Sequence, residues 1–344
     1  MRWSKVRRRP DTKKVTGKGE EMTAIRGFVG ASRREGVLGV HSMDSFRMNV
    51  PDLGLARDFY SAFGLDVREE GNAIGLYTVG NLHRWGSITE GARKKLSFLS
   101  FGVFDDEVGV FRKHVEQQGV QLIDPPTGFQ SNGFWFRDHD GNLVELRAAE
   151  KTSPNQKSEV INASAPANTA AAPLRSQAER VLPRRLAHIL AFTRDVAKAV
   201  TFYCSVLGLR LSDRSGDGIA FLHGIHGSDH HLIAFAKSDA PGMHHLSWDV
   251  GSINHVGLGA MQMANKGFTD GWGLGRHVLG SNYFHYVRDP WGSYAEYSSD
   301  IDFVSADHDW QSGDHEDRNA FYLWGPKPPD DFTINYESDH TGPA

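Results

Sequence analysis

The chain repeats itself, and that repeat constrains its fold more than any other feature. One copy spans residues 41–150 and the other residues 184–300 of 344. The first opens on Phe46-Arg47-Met48-Asn49-Val50-Pro51-Asp52, continues through Ala56-Arg57-Asp58-Phe59-Tyr60 and reaches Phe63-Gly64-Leu65. The second answers with Ala187-His188-Ile189-Leu190-Ala191-Phe192-Thr193-Arg194-Asp195, Ala199-Val200-Thr201-Phe202-Tyr203 and Leu207-Gly208-Leu209. Each reads as a strand, a helix begun by an aspartate and a glycine stop. Asp52 and Asp195 suit the N-cap, where a carboxylate accepts the free amide hydrogens of the first turn. Gly64 and Gly208 suit the left-handed position just past the last turn.

The copies keep step further on. Leu99-Ser100-Phe101-Gly102-Val103 echoes Leu246-Ser247-Trp248-Asp249-Val250, and each opens a second helix-containing unit. Both copies close on a hairpin, Phe134–Glu145 and Phe284–Glu296, around Asp-x-x-Gly turns. Glycine takes the positive φ such turns need. The expected fold is therefore α+β. Two tandem domains each hold a pair of strand–helix–strands units, with mixed sheets curled around a cavity. Residues 151–183 have linker composition. Residues 1–40 are basic and poor in apolar residues, which predicts a disordered extension or a stretch ahead of a later start at Met22 or Met43. Residues 301–344 carry Trp310, Phe321, Tyr322 and Trp324, and are expected to pack over the second copy as a lid or a subunit contact.

A net charge of −4 gives nucleic acid and anionic membranes no reason to bind. No apolar run reaches the roughly 18–20 residues of a membrane span. With Cys204 alone, no intrachain disulfide can form, and a reducing cytoplasm fits. Cys204 follows Phe202-Tyr203 in a helical pattern and reads as a buried filler.

Ten of the 17 histidines fall between His188 and His285. Two neutral imidazoles and one carboxylate on one face leave open positions at a non-haem Fe(II). The candidates are His188 on the first strand of the second copy, His245 on the strand opening its second unit and Glu296 on its last strand. The first copy is an internal control. It places Ser45 opposite His188, Phe98 opposite His245 and Glu145 opposite Glu296, so it keeps the carboxylate and lacks both imidazoles. Metal is expected in the second copy only. His277, Tyr286 and Glu296 lie on one strand–turn–strand at spacings that aim all three into one cavity.

These motifs resemble those of the two-domain extradiol ring-cleavage dioxygenases of the vicinal oxygen chelate superfamily, over residues 41 to 300. The resemblance implies paired βαβββ modules in each domain. It also implies Fe(II), with Mn(II) as the alternative, held by His188, His245 and Glu296, and a catechol-type substrate with O2. His231 in His230-His231-Leu232-Ile233-Ala234-Phe235, with His277 and Tyr286, takes the places of the family's catalytic residues. His231 would then stabilise bound oxygen and supply a proton, Tyr286 would help deprotonate the substrate, and His277 would orient Tyr286. Relatives usually assemble into homo-oligomers. Trp135 stands opposite Tyr286 in the first copy and is no functional replacement.

Other residues have plainer readings. Alternation sends His244 to the face opposite His245. His230 reads as structural or rim, and His223, His226 and His285 as loop or sheet-surface residues. Trp248, Trp272, Phe284, Trp291 and Tyr294 are candidates for a pocket wall or for plain core. Arg276 could face a substrate carboxylate; Arg288, repeated as Arg137, reads as structural. Two other functions share parts of this pattern. A glyoxalase-type isomerase or thiol transferase is disfavoured by His231, His277 and Tyr286 together. A metal-free binding protein of the drug-sequestering type is disfavoured by the asymmetric imidazoles.

Overall fold

The computed structural model describes residues 30–338, apart from 128, 130, 162 and 163. The first copy contains β1 (Ser42–Val50), α1 (Leu53–Phe63), β2 (Asp66–Glu70), β3 (Ala73–Tyr77), β4 (Arg84–Glu90), β5 (Lys95–Val103), α2 (Val108–Gln117), β6 (Phe134–Arg137) and β7 (Leu143–Ala148). The second contains β8 (Arg185–Thr193), α3 (Val196–Leu207), β9 (Arg210–Ser215), β10 (Ile219–His223), β11 (Ser228–Asp229), β12 (Ile233–Lys237), β13 (Gly242–Asp249), α4 (Ile253–Ala264), β14 (Gly271–His277), β15 (Tyr283–Arg288) and β16 (Tyr294–Ser299). Then follow β17 (Phe303–Val304), β18 (Gly313–Asp314), α5 (Asp317–Ala320) and β19 (Tyr322–Trp324).

Two mixed sheets result. The first runs β2-β3-β4-β1-β5-β7-β6, and the second β18-β9-β10-β12-β8-β13-β16-β15-β14-β19. At the centre of each, the opening strands of its two units pair antiparallel: β1 with β5, β8 with β13. Each of these pairs in parallel with the last strand of its own unit. One unit departs from the βαβββ plan. After α2 only two regular strands follow, and the third is reduced to a single bridge between Ile123 and Trp135. Pro125 and Pro126 lie in that stretch, and neither can donate to a ladder.

The helix boundaries follow the chain's own punctuation. Asp52 accepts from Leu55 N (2.8 Å) and Asp195 from Lys198 N (3.0 Å). Gly64 and Gly208 end α1 and α3 at φ 106° and 71°. A Cβ on Gly64 would stand 2.2 Å from Val181 O, so no other residue fits there without moving the backbone. α1 buries Ala56, Phe59, Tyr60 and Phe63 on one face. Removing each of the two phenylalanine side chains from water contributes roughly 1.5–3 kcal/mol.

The copies are locked together across their seam. The rings of Phe63 and Tyr297 stack 3.8 Å apart, and Tyr297 OH donates to Phe63 O (2.8 Å). Buried Lys94 pairs with Asp289 at 2.9 Å, tying the first copy to the closing turn of the second. Residues 31–40, expected in the extension, line this seam instead. Ser32 Oγ donates to His226 O (2.7 Å), Arg34 N to His226 Nδ1 (3.1 Å) and Val40 N to Leu207 O (2.9 Å). The reason is local: Val40 and His41 are wholly buried, and buried backbone must find partners. The rest of that expectation, residues 1–29, lies outside the described residues. The expected linker also starts docked, with Thr152 N and Ser153 N donating to Ser42 Oγ (2.8 and 2.9 Å).

Beyond residue 300 the chain straps the second sheet. β17 pairs with β11, β18 adds to β9 at one edge and β19 to β14 at the other. Covering both edges removes unpaired ladders. No helix among the described residues is long and apolar enough to cross a membrane.

Candidate metal centre

Register builds the site. On the second sheet His188 pairs with Ser247, Ser247 with Glu296, Glu296 with Tyr286 and Tyr286 with Trp272. These five residues form one row across β8, β13, β16, β15 and β14, so their side chains share a face. His245 lies two residues back from Ser247 on β13, hence on the same face. His188 Nε2, His245 Nε2 and Glu296 Oε2 then converge: 3.3 Å between His188 and Glu296, 3.5 Å between His245 and Glu296, 3.4 Å between the imidazoles. All three side chains are buried. Ligands about 2.1 Å from one metal and at right angles stand about 3 Å apart, so this triangle has the size of an octahedral face. Glu296 Oε2 has no hydrogen-bond partner here, an orphaned buried acceptor aimed at the imidazoles. Two imidazoles and one carboxylate suit Fe(II) or Mn(II).

The first sheet repeats the row without the chemistry. Ser45 pairs with Ser100, Ser100 with Glu145 and Glu145 with Trp135. Glu145 accepts from Ser100 Oγ (2.6 Å) and from Ser131 Oγ, so its carboxylate is satisfied by hydroxyls.

Neighbours orient the donors. Glu296 Oε1 accepts from Asn282 Nδ2 (3.1 Å), which also bonds Ser298 Oγ (3.0 Å). One carboxylate oxygen is thus held by the protein and the other is left without a donor, free to serve a metal. Burial tends to raise the Glu296 carboxyl; contact with His188 and the nearby His277 outweigh it, and its pKa ends below the usual value. His245 Nδ1 lies 2.7 Å from His244 Nδ1, and His244 Nε2 lies 2.7 Å from Phe332 O. A carbonyl only accepts, so His244 carries its proton on Nε2. Burial holds His244 down to about 4, so it is neutral and its Nδ1 accepts from His245 Nδ1–H. The lone pair of His245 Nε2 is left facing the other two ligands.

His244 was expected on the opposite face. A β-bulge between Met243 and His245 breaks the alternation and turns it into the cavity wall. His230, read as structural or rim, is buried as a structural group, and His223 and His226 are buried rather than on a loop or sheet surface. His223 Nδ1 meets Ser212 Oγ at 2.7 Å, and His226 holds the N-terminal segment. His285 is half-buried.

His277 Nδ1 donates to Phe321 O (2.8 Å), which leaves Nε2 to accept from Tyr286 OH (2.9 Å). Burial, then the nearby Glu296 carboxylate, raises the Tyr286 phenol well above its usual value. The His231 ring lies 4.0 Å from the His188 ring, and burial, then the neighbouring His188, hold His231 well below the ordinary range.

The cavity is about 400 Å³, and His188, His231, His244, His245, His277, Asn282 and Tyr286 all line it. Its walls are mostly apolar, with Leu190, Phe192, Ile219, Phe221, Phe321 and Phe332, and Ser215, Thr333 and the opposite charges of Asp317 and Lys237 also line it. The aromatics read as pocket wall or plain core take the second role, with Trp291 packed against the main core. Trp272, Phe284 and Tyr294 form a small cluster behind Tyr286 and Phe332, and Trp248 belongs to the main core. Neither arginine enters: Arg276 bonds Ser281 O and Tyr283 OH, and Arg288 bonds Asp331. Lys237 is the one cation lining the cavity among the described residues. Leu190 and Phe192 were missed although i+2 and i+4 from His188 on one strand should have named them. Asn282, Phe321 and Phe332 carry no such signal. Cys204 is half-buried, and burial lifts its thiol to about 11, which fits a filler rather than a nucleophile.

The chain is similar to known proteins in both sequence and fold. The profile of the Glyoxalase/Bleomycin resistance protein/Dioxygenase superfamily matches residues 42–146 and 185–297. The chain is 48% identical over 299 residues to Metapyrocatechase 2 of Cupriavidus necator, covering 87% of this chain and 93% of that protein. The structure of the Mn(II)-bound glyoxalase from Novosphingobium aromaticivorans shares the fold, with a TM-score of 0.68 at 24% identity over 85% of this chain and 94% of that one. An extradiol ring-cleaving dioxygenase from B. fuscum shares it too, with a TM-score of 0.68 at 20% identity over 88% and 84%. The chain belongs to the Glyoxalase/Bleomycin resistance protein/Dioxygenase superfamily, among its extradiol ring-cleaving dioxygenases.

Proposed function

We propose that His188 Nε2, His245 Nε2 and Glu296 Oε2 hold one Fe(II), and that the enzyme uses O2 to open a catechol ring beside its hydroxylated carbons. The convergence of those three atoms beneath an apolar cavity is the observation that carries this reading. Bound there, Fe(II) would chelate two vicinal hydroxyl oxygens and carry electron density between ring and dioxygen.

The chain's own groups manage the protons. The Tyr286 hydroxyl hydrogen is engaged by His277 Nε2, so its oxygen accepts from a substrate hydroxyl and positions it. His231 takes up a proton released by the substrate and returns it when the oxygen–oxygen bond breaks. His277, fixed by Phe321 O, keeps Tyr286 in place. The apolar walls exclude water and seat a neutral ring substituent. Both oxygen atoms of O2 enter the product, a ring-opened hydroxy-aldehyde or hydroxy-keto acid. Net charge, lining and the lone cysteine suit a cytoplasmic enzyme acting on a small, neutral alkyl- or aryl-substituted catechol.

The test is a substrate panel on Fe(II)-loaded protein: catechol, 3-methylcatechol, 2,3-dihydroxybiphenyl and 3,4-dihydroxyphenylacetate. A yellow ring-fission product is expected, with kcat/KM for a neutral catechol at least about tenfold above that for the carboxylated one. No colour with any of them would refute ring cleavage, and preference for the carboxylate would refute the substrate class.

A further inference from the structure

Behind His231 runs a hydrogen-bonded chain that the reaction as described leaves unused. His231 Nδ1 lies 3.1 Å from His230 Nδ1, and His230 Nε2 lies 2.8 Å from Asp213 Oδ2. His230 is wholly buried and Asp213 nearly so. Asp213 is itself pinned from its other oxygen. Oδ1 accepts from Gly313 N (2.9 Å) and meets His315 Nε2 at 2.7 Å. Gly313 belongs to β18, which pairs with β9 beside Asp213, so the C-terminal strap aligns the carboxylate. His231 Nε2 makes no hydrogen bond among the described residues, and the ring lines the cavity.

Direction along this chain is dictated by what each group can do. A carboxylate only accepts, so His230 carries its hydrogen on Nε2. If that is the only ring hydrogen on His230, its Nδ1 offers a lone pair, and the 3.1 Å contact requires His231 to donate from its own Nδ1. That leaves His231 Nε2 with a lone pair toward the cavity. The paired histidines His244 and His245 are built on the same plan, with Phe332 O as the terminal acceptor and the freed lone pair facing the metal position.

We infer that Asp213 and His230 are positioning residues that fix the tautomer of His231, presenting an unprotonated Nε2 to the substrate. This rests on the reading of His231 as the acid–base residue. It gives a structural cause for the proposed order of events: with its Nε2 lone pair toward the cavity, His231 must accept a substrate proton before it can donate one. The proton it returns is therefore the substrate's own, and no external acid is needed within one turnover.

Asp213→Asn tests this almost isosterically. Gly313 N–H keeps the amide oxygen at the Oδ1 position, so the amide NH2 faces His230 Nε2. His230 must then accept at Nε2 and donate from Nδ1, His231 must accept at Nδ1, and its hydrogen moves to Nε2. The readout is 15N–1H correlation NMR of histidine-labelled full-length protein, with Zn(II) in the metal site as a diamagnetic probe. The wild type should show His231 protonated at Nδ1 and the variant at Nε2. With Fe(II), the variant should lose about 10- to 100-fold in kcat, with iron content unchanged and KM within about twofold. Wild-type His231 protonated at Nε2 or at both nitrogens would overturn the inference without needing the variant. So would a variant with unaltered tautomer and kcat. Failure of the iron-loaded wild type to cleave any catechol would instead sink the functional reading, and the NMR result separates the two.

Discussion

Glu296 and Glu145 occupy equivalent register positions and end in opposite states. Glu145 spends both oxygens on serine hydroxyls, whereas Glu296 spends one on Asn282 and keeps the other free between two imidazoles. A buried carboxylate oxygen without a donor is costly unless a cation completes it. Glu296→Gln and His188→Ala should therefore cut the iron retained after desalting by roughly tenfold or more, read by colorimetric iron assay. His231→Phe should keep its iron and lower kcat by about 10²–10⁴-fold; unchanged turnover would remove His231 from the chemistry. His188, His245 and Glu296 were legible in the sequence because the first copy shows the same positions without imidazoles. Asn282 was not, because nothing in a Gly-Ser-Asn turn says that its amide will meet a carboxylate fourteen positions on.

At the level of elements, single irregularities place the groups that orient the ligands. The bulge in β13 brings His244 onto the cavity side, and a period-2 reading cannot foresee a bulge. The C-terminal strap supplies Phe321 O to His277, Phe332 O to His244 and Gly313 N to Asp213. Backbone donors and acceptors are invisible in residue identities, which is why packing of residues 301–338 could be expected and their part in the site could not. The Phe332 ring lies against Trp272, Tyr286 and Tyr294. Phe332→Ala should destabilise the protein by about 3 kcal/mol in urea unfolding and also lower kcat, since the loosened strap releases His244. Loss of stability with full activity would show that the strap only covers the sheet.

Taken whole, the molecule shields several histidines from water on both sides of the seam. Burial holds His41, His223, His226, His244 and His285 each down to about 4. Unfolded, they titrate near 6.5. Between those values the unfolded chain binds more protons than the native one, so stability is full above about 6.5 and falls as pH drops toward 4. Each histidine contributes a slope of roughly 1.4 kcal/mol per pH unit inside that window. Urea midpoints of metal-free protein should fall steadily from pH 6.5 to 4.5; a flat profile would mean these rings are not buried neutral.

The most direct measurement is a titration of Fe(II) into metal-free protein under argon, followed by catechol and air, with oxygen uptake and visible absorbance recorded together. Ring cleavage at the His188–His245–Glu296 centre predicts a yellow product, one O2 consumed per catechol and a rate that rises linearly to one iron per chain. Turnover without metal, or full iron loading with neither colour nor oxygen uptake, would contradict it.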